Sequence, residues 1–235
     1  MKLALLERLP HESSREYAYR LLRTNILDLT IAPGATLSEN DVAEIVAVSR
    51  TPVREAFIKL SQEALLDIQP QRGTYVSLID PGHVEEARFL RTTVETEVIK
   101  LACRSFPAEL LISLQSLLQF QELSAAENAP AKFFAHDEAL HRTLFIGCGK
   151  LRVWAIIQQM NTHYNRVRFL NLLSGYNLPR IIEEHRCIVR AVRDRDVIAG
   201  ERAADLHLSK IHLDIKQLQQ EYPDYFVPPR PRPGA

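Results

Sequence analysis

The 235-residue sequence predicts a mostly α protein in two parts, a small N-terminal block of three helices and a hairpin, then an all-α antiparallel helical bundle. Three observations carry that prediction. Strand-like alternation is confined to about residues 65–78. Elsewhere apolar residues recur at helical spacing, and glycine is scarce at eight residues. The breaks beyond Pro81 are short, which suits helices packed against antiparallel neighbours.

The first helix is expected from about Ser14 to Leu29, with Ala18, Leu21, Leu22, Ile26 and Leu29 on one face. Pro33 and Gly34 end that run. Ser38 can cap a second helix, with Asp41 three residues on and Val42, Ile45 and Val46 as its apolar face. Ala47 and Val48 make a tight turn, and Ser49 can cap a third helix running to about Glu63. Pro52 falls in its first turn, where the missing N–H does no harm. Leu65, Leu66 and Ile68, then a turn through Pro70 and Gly73, then Tyr75 and Val76 make two short strands. The whole is a winged helix-turn-helix over residues 1–79.

Residues 80–222 read as six helices, broken at Pro107, Pro130, Gly147 to Gly149, Gly175 to Pro179, and Asp194 to Asp196. Residues 223–235, with four prolines from 228 on, read as a flexible Pro-rich tail.

Composition excludes more than it assigns. The start is too short for a signal peptide and no apolar run approaches a membrane span, so a cytoplasmic protein with no membrane partner is expected. Cys103, Cys148 and Cys187 form no C-x-x-C pair and read as small buried apolar groups. Residues 1–78 carry nine Lys/Arg against ten Asp/Glu, a net of −1, so no basic footprint marks the N-terminal block.

DNA reading therefore rests on placement. Val53, Ala56, Phe57 and Leu60 must face the core of the third helix, which leaves Arg50, Thr51 and Arg54 opposite. A recognition helix enters the major groove by its N-terminal end, where an arginine fork matches guanine O6 and N7. Arg72 at the hairpin tip could reach a phosphate or the minor groove. The plain alternative is a solvated helix face, and the ordered helix, turn, helix and wing argue against it.

The stretch VSRTPVREAFIKL, followed by QPQRGTYV and preceded by APGATLSENDVAE, resembles the DNA-binding domain of GntR-type regulators over about residues 15–78. The resemblance implies DNA contacts from Arg50, Thr51, Arg54 and Gly73, with Ser49 and Pro52 in the same motif. Asn40 stands where some members carry an arginine.

In the bundle, four polar residues sit on apolar stripes. Asp137 and His141 are one turn apart among Phe134, Leu144 and Phe145. His185 lies among Ile181, Ile182, Ile188 and Val189, and His207 follows Ala203 and Ala204. A buried carboxylate is costly unless it is paired or bound to metal. Hydrogen-bonded core histidines and an Asp–His ion pair explain them one by one; four on three helices point to a divalent transition metal. His136, His163 and His212 read as surface groups or as supports behind the ligands.

The segments LRTTVETEVIKLA, FFAHDEALHRTLF and EEHRCIVRAVRDRDVIAGERAADLHL make the second block similar to the FCD ligand-binding domain of the FadR subgroup, over about residues 82–220. That resemblance implies a metal on Asp137, His141, His185 and His207, zinc first and nickel, manganese or iron next. The loop after the Asp/His helix reads GCGK where many members have a Gly-Asn pair. Arg91 and Glu95 share a buried stripe, either as a structural bridge or with Arg91 gripping an effector carboxylate, and Arg168 is a second candidate for that pocket.

The expected function is a sequence-specific transcriptional regulator, a repressor and not an enzyme. A small carboxylate effector at the metal controls it, and it acts as a homodimer on palindromic operator half-sites of double-stranded DNA. The alternatives are a metal sensor and a metallohydrolase using the Asp/His₃ site.

Overall fold

The computed structural model describes residues 3–173, 178–209 and 211–228, without the side chains of 211–214, so His212 and the end of the expected tail lie outside it. Backbone contacts divide the chain into two compact units, Met1–Gly82 with Gln217–Ala235, and His83–Lys216.

In the first unit, α1 (Ser14–Leu27) opens with a capping box in which the Ser13 hydroxyl accepts from Glu16 N and Glu16 accepts from Ser13 N at 2.9 Å. Its buried Asn25 clamps the N-terminal arm: Oδ1 accepts from Ala4 N at 2.7 Å and Nδ2 donates to Ala4 O at 3.0 Å. The arm also lays Leu3 and Leu6 on the core. Helix α2 (Glu39–Ile45) is capped by Ser38 and buries Val42 and Ala43, with Val46 just beyond its end. Ile45 is 37% exposed, against expectation, because the short helix turns Ala43 and Val46 inward with Val42.

Helix α3 (Arg50–Gln62) buries Val53, Ala56, Phe57 and Leu60, the four residues its spacing selects. Ser49 holds the N-cap position but makes no side-chain cap bond, so the expected cap is one of position only. The hairpin is β2 (Leu66–Gln69) and β3 (Gly73–Val76). Gly73, at φ +131°, takes a backbone that side chains resist as the second strand starts. A third strand, β1 (Thr36–Leu37), pairs antiparallel with β3 and gives the order β1-β3-β2. Two residues are too few to show alternation, which is why the sequence does not announce it.

The segment expected as a loose tail is ordered where it is described. Pro223–Tyr225 forms a 3₁₀ turn, Ile79 N donates to Tyr225 O at 2.8 Å, and Val227 N donates to Ile79 O at 2.9 Å. Phe226 is buried at 4% exposure, so an apolar anchor outweighs the neighbouring prolines.

The second unit is helical where it is described, with α4 (Pro81–Arg104), α5 (Ala108–Ala126), α6 (Pro130–Gly147), α7 (Leu151–Met160), α8 (Thr162–Leu173), α9 (Leu178–Asp194), α10 (Val197–Ser209) and α11 (Ile211–Glu221), of which α4 starts and α11 ends in the first unit's segments. One of the six expected helices is thus divided, at Asn161, while α10 and α11 are the described parts on either side of residue 210, which lies outside the description. No glycine or proline marks Asn161, whereas 11 of the 12 residues of α8 pack on its neighbours or lie half-buried. A Cβ on Gly147 would stand 2.1 Å from the Phe106 ring, which accounts for the first glycine of the GCGK loop. Cys103 is buried, while Cys148 and Cys187 are only half-buried and all three are free thiols. Among the described residues no helix is long and apolar enough to cross a membrane.

Candidate metal centre and DNA-reading surface

Helices α6, α9 and α10 each turn one histidine toward a common point. His185 Nε2 lies 3.1 Å from His207 Nε2, which lies 3.3 Å from His141 Nε2. Asp137 Oδ1, one turn before His141 on α6, is 3.3 Å from His141 Nε2. Metal–nitrogen bonds of 2.0–2.1 Å in a tetrahedral zinc site put ligand atoms about 3.3 Å apart. The three histidines therefore lie close enough to share one ion, their ligand atoms within 4.8 Å of one another, and Asp137 stands beside them through its contact with His141.

The far sides of the rings explain why the near sides are free to bind. His185 Nδ1 is 2.8 Å from Gln121 Oε1 on α5, and His207 Nδ1 is 3.0 Å from Glu184 Oε2. Acceptors there keep each proton on Nδ1 and turn the Nε2 lone pair inward, the usual outer support of a metal-bound imidazole. Behind His141, Glu95 Oε2 stands 2.7 Å from Nδ1, an electrostatic contact rather than a well-aligned hydrogen bond. Lone pairs facing each other at 3.1–3.3 Å repel unless a cation or a proton sits between them.

Protonation follows the same geometry. Burial pushes His185 well below the usual imidazole value, with His207 adding to it, and burial lowers His207 as well, so both are neutral donors. Burial also opposes charge on His141, but Glu95 and Asp137 outweigh it and raise its pKa. Burial would raise Asp137, yet the Arg168 guanidinium and the His141 hydrogen bond hold it well below the carboxylate range. The centre thus offers two neutral imidazoles, an ionised carboxylate and a third imidazole whose proton a metal would replace.

The two arginines differ. Arg168 is already engaged: it donates to Asp137 Oδ1 at 2.7 Å, to Asn165 Oδ1 at 2.9 Å and to Glu138, with Phe134 under its guanidinium. Arg91 donates from Nε to Glu95 Oε1 at 2.5 Å and lies over the Tyr164 ring, but its buried Nη2 has no partner among the described residues. Both line a cavity of about 50 Å³ beside the candidate ligands, with Asp137, Tyr164, Arg180 and His207.

Sequence reasoning missed Gln121, Glu184 and the contact of Glu95 with His141. Gln121 left a signal, because it continues the buried Leu114 and Leu118 stripe of α5 with a polar side chain. Glu184 left none, since adjacent residues on a helix do not share a face. Of the other histidines, His163 is buried rather than superficial, 2.8 Å from Arg166 and edge-on to His83, apart from the ligand cluster. His136 stacks on Phe120.

In the first unit Arg50, Thr51 and Arg54 all lie exposed on α3, opposite its buried residues, and Arg72 and Gly73 are exposed on the wing. Arg50 is held by Glu39 of α2 at 2.7 Å, while Arg54 and Arg72 have no ion pair among the described residues. Arg15, not an arginine of this face, takes Glu55 at 3.5 Å.

Residues 14–76 match the family described as bacterial regulatory proteins, gntR family, and residues 86–210 match the FCD domain. The chain is 33% identical to the HTH-type transcriptional repressor RspR of Escherichia coli (strain K12), over 92% of this chain and 95% of that protein. The chain belongs to the GntR family. It is a DNA-binding transcriptional regulator of that family, with a winged helix-turn-helix and an FCD bundle. A second relative, an HTH-type regulator in an unstable DNA locus of Streptomyces ambofaciens, is 35% identical over 92% of this chain and 90% of that protein. The fold is also that of E. coli McbR/YncC, with a TM-score of 0.75 at 19% identity over 90% of this chain and 99% of that one.

Proposed function

We propose that this GntR-family protein is a cytoplasmic repressor whose FCD bundle holds one divalent metal, zinc first, on Asp137, His141, His185 and His207. The convergence of three histidine Nε2 atoms carries the reading, with the Asp137 carboxylate beside His141 as the fourth candidate. The bound metal supplies a Lewis-acidic centre for an oxygen ligand. Arg91 supplies the second half of an organic-acid site, since its Nη2, without a partner among the described residues, suits one oxygen of a carboxylate. Arg168 acts through Asp137, which it holds, more than as a direct grip.

The cavity of about 50 Å³ beside the candidate ligands has room for a carboxylate group against Arg91. An effector that binds one arrangement of the bundle better shifts the protein toward it. The same small cavity favours a second reading, in which the metal is itself the signal.

On the DNA side, Ser49, Arg50, Thr51, Pro52 and Arg54 form the edge of α3 that enters the major groove, and Arg72 and Gly73 carry the wing to the backbone or minor groove. A homodimer would present two such helices to palindromic half-sites. Gel-shift titration of operator DNA tests this. The parent binds, Arg50→Ala with Arg54→Ala does not, and chelator followed by added zinc or an organic-acid panel separates the effector switch from the metal sensor. Unchanged affinity in the double variant overturns the assignment of α3.

A further inference from the structure

One buried carboxylate belongs to both halves of the bundle site. Glu95, with its side chain 2% exposed, lies on α4 one turn after Arg91. Its Oε1 accepts from Arg91 Nε at 2.5 Å, and its Oε2 faces His141 Nδ1 at 2.7 Å. The arginine side chain is 1% exposed and the histidine 0%. Arg91 in turn lines the cavity, its Nη2 unpartnered among the described residues, while His141 turns Nε2 to its fellow candidate ligands. One anionic charge is thus divided between the group that faces the cavity and the back of a metal ligand.

We propose that Glu95 couples occupancy of the cavity to the grip on the metal. An anion seated on Arg91 takes up guanidinium charge that otherwise holds Glu95. The carboxylate then acts more fully on His141 Nδ1–H, making Nε2 a stronger donor. Metal binding and anion binding therefore strengthen each other, and linkage requires the effect to be the same in both directions. The coupling rests on the metal reading of the His cluster, and it adds a route that does not need the anion to touch the metal.

The test uses zinc alone as the probe, with affinity measured against a competing chelator for the full-length parent, Glu95→Gln, Arg91→Gln and the double variant. Removing the outer carboxylate weakens zinc by roughly tenfold to a hundredfold. Arg91→Gln mimics a withdrawn guanidinium and tightens zinc by about threefold to tenfold, a fraction of that outer-partner effect. In the Glu95→Gln background the Arg91 substitution has no effect. An equal Arg91 effect in both backgrounds means direct charge action through space and overturns the proposal, as does no Arg91 effect in either. Absence of zinc binding by the parent overturns the metal reading itself, and the coupling with it. Circular dichroism checks each fold. If Arg91→Gln does not fold, Arg91→Lys keeps the buried charge without the Nε donor and takes its place, with a smaller shift in the same direction and the same criterion in the Glu95→Gln background.

Discussion

Helix α3 of the DNA-reading unit and helix α6 of the bundle use opposite placements of polar side chains. On α3 the polar residues of interest are exposed, and Arg54 and Arg72 are uncommitted among the described residues. On α6, Asp137 and His141 are buried and held from behind by Arg168 and Glu95. The difference suits the partners proposed for the two helices. A duplex supplies its own dense charge and needs donors at the surface, whereas a single ion is held by donors that have already lost water and freedom.

Independent cores give the sharpest way to break this comparison. Phe57 is 1% exposed in the first unit, and Phe57→Ala is expected to cost about 3–5 kcal/mol, much of a domain's stability. DNA binding should be lost while zinc uptake, followed by chelator competition, stays at the parent level. Joint loss would show that the two units do not fold separately. Next in size, His185→Ala should abolish zinc binding. Parent protein at a thousandfold excess of zinc over Kd should gain roughly 4 kcal/mol over its chelated form, read as a higher Tm that the variant lacks.

Arg54→Ala should lower operator affinity by about 1–3 kcal/mol in gel-shift titrations and leave zinc affinity unchanged. Arg72→Ala is a smaller and more uniform change. It should weaken binding alike across sequences and reduce the salt slope by about one, the mark of a lost phosphate contact.

The smallest effect is one of pH and belongs to the first unit. The Arg20 hydrogen bond lowers Glu12 from 4.5 to about 2 and outweighs the opposing effect of burial. A depressed folded-state pKa contributes stability above 4.5 that is lost as pH falls through the folded value. Protection factors of the N-terminal arm amides, with the intrinsic pH dependence of exchange divided out, should therefore fall between about pH 4.5 and 2 in the parent, and Glu12→Gln should flatten that dependence. Bundle amides should not respond to the substitution.

Periodicity alone selected the buried face of α3 and the buried placement of Asp137, His141 and His185, because a helix maps spacing directly onto sides. It could not find β1, whose two residues carry no pattern, nor the break at Asn161, which has no local helix breaker. Arg91 and Glu95 were legible as a buried pair, but their neighbours were not.

The sequence by itself determined the class of fold, the family, the arginine face of α3 and the identity of the four candidate ligands. Only the tertiary structure decided what stands behind those ligands. Gln121, Glu184 and Glu95 come from positions whose meaning depends on which helix packs against which, and interhelical contact is not written in the period of any single helix.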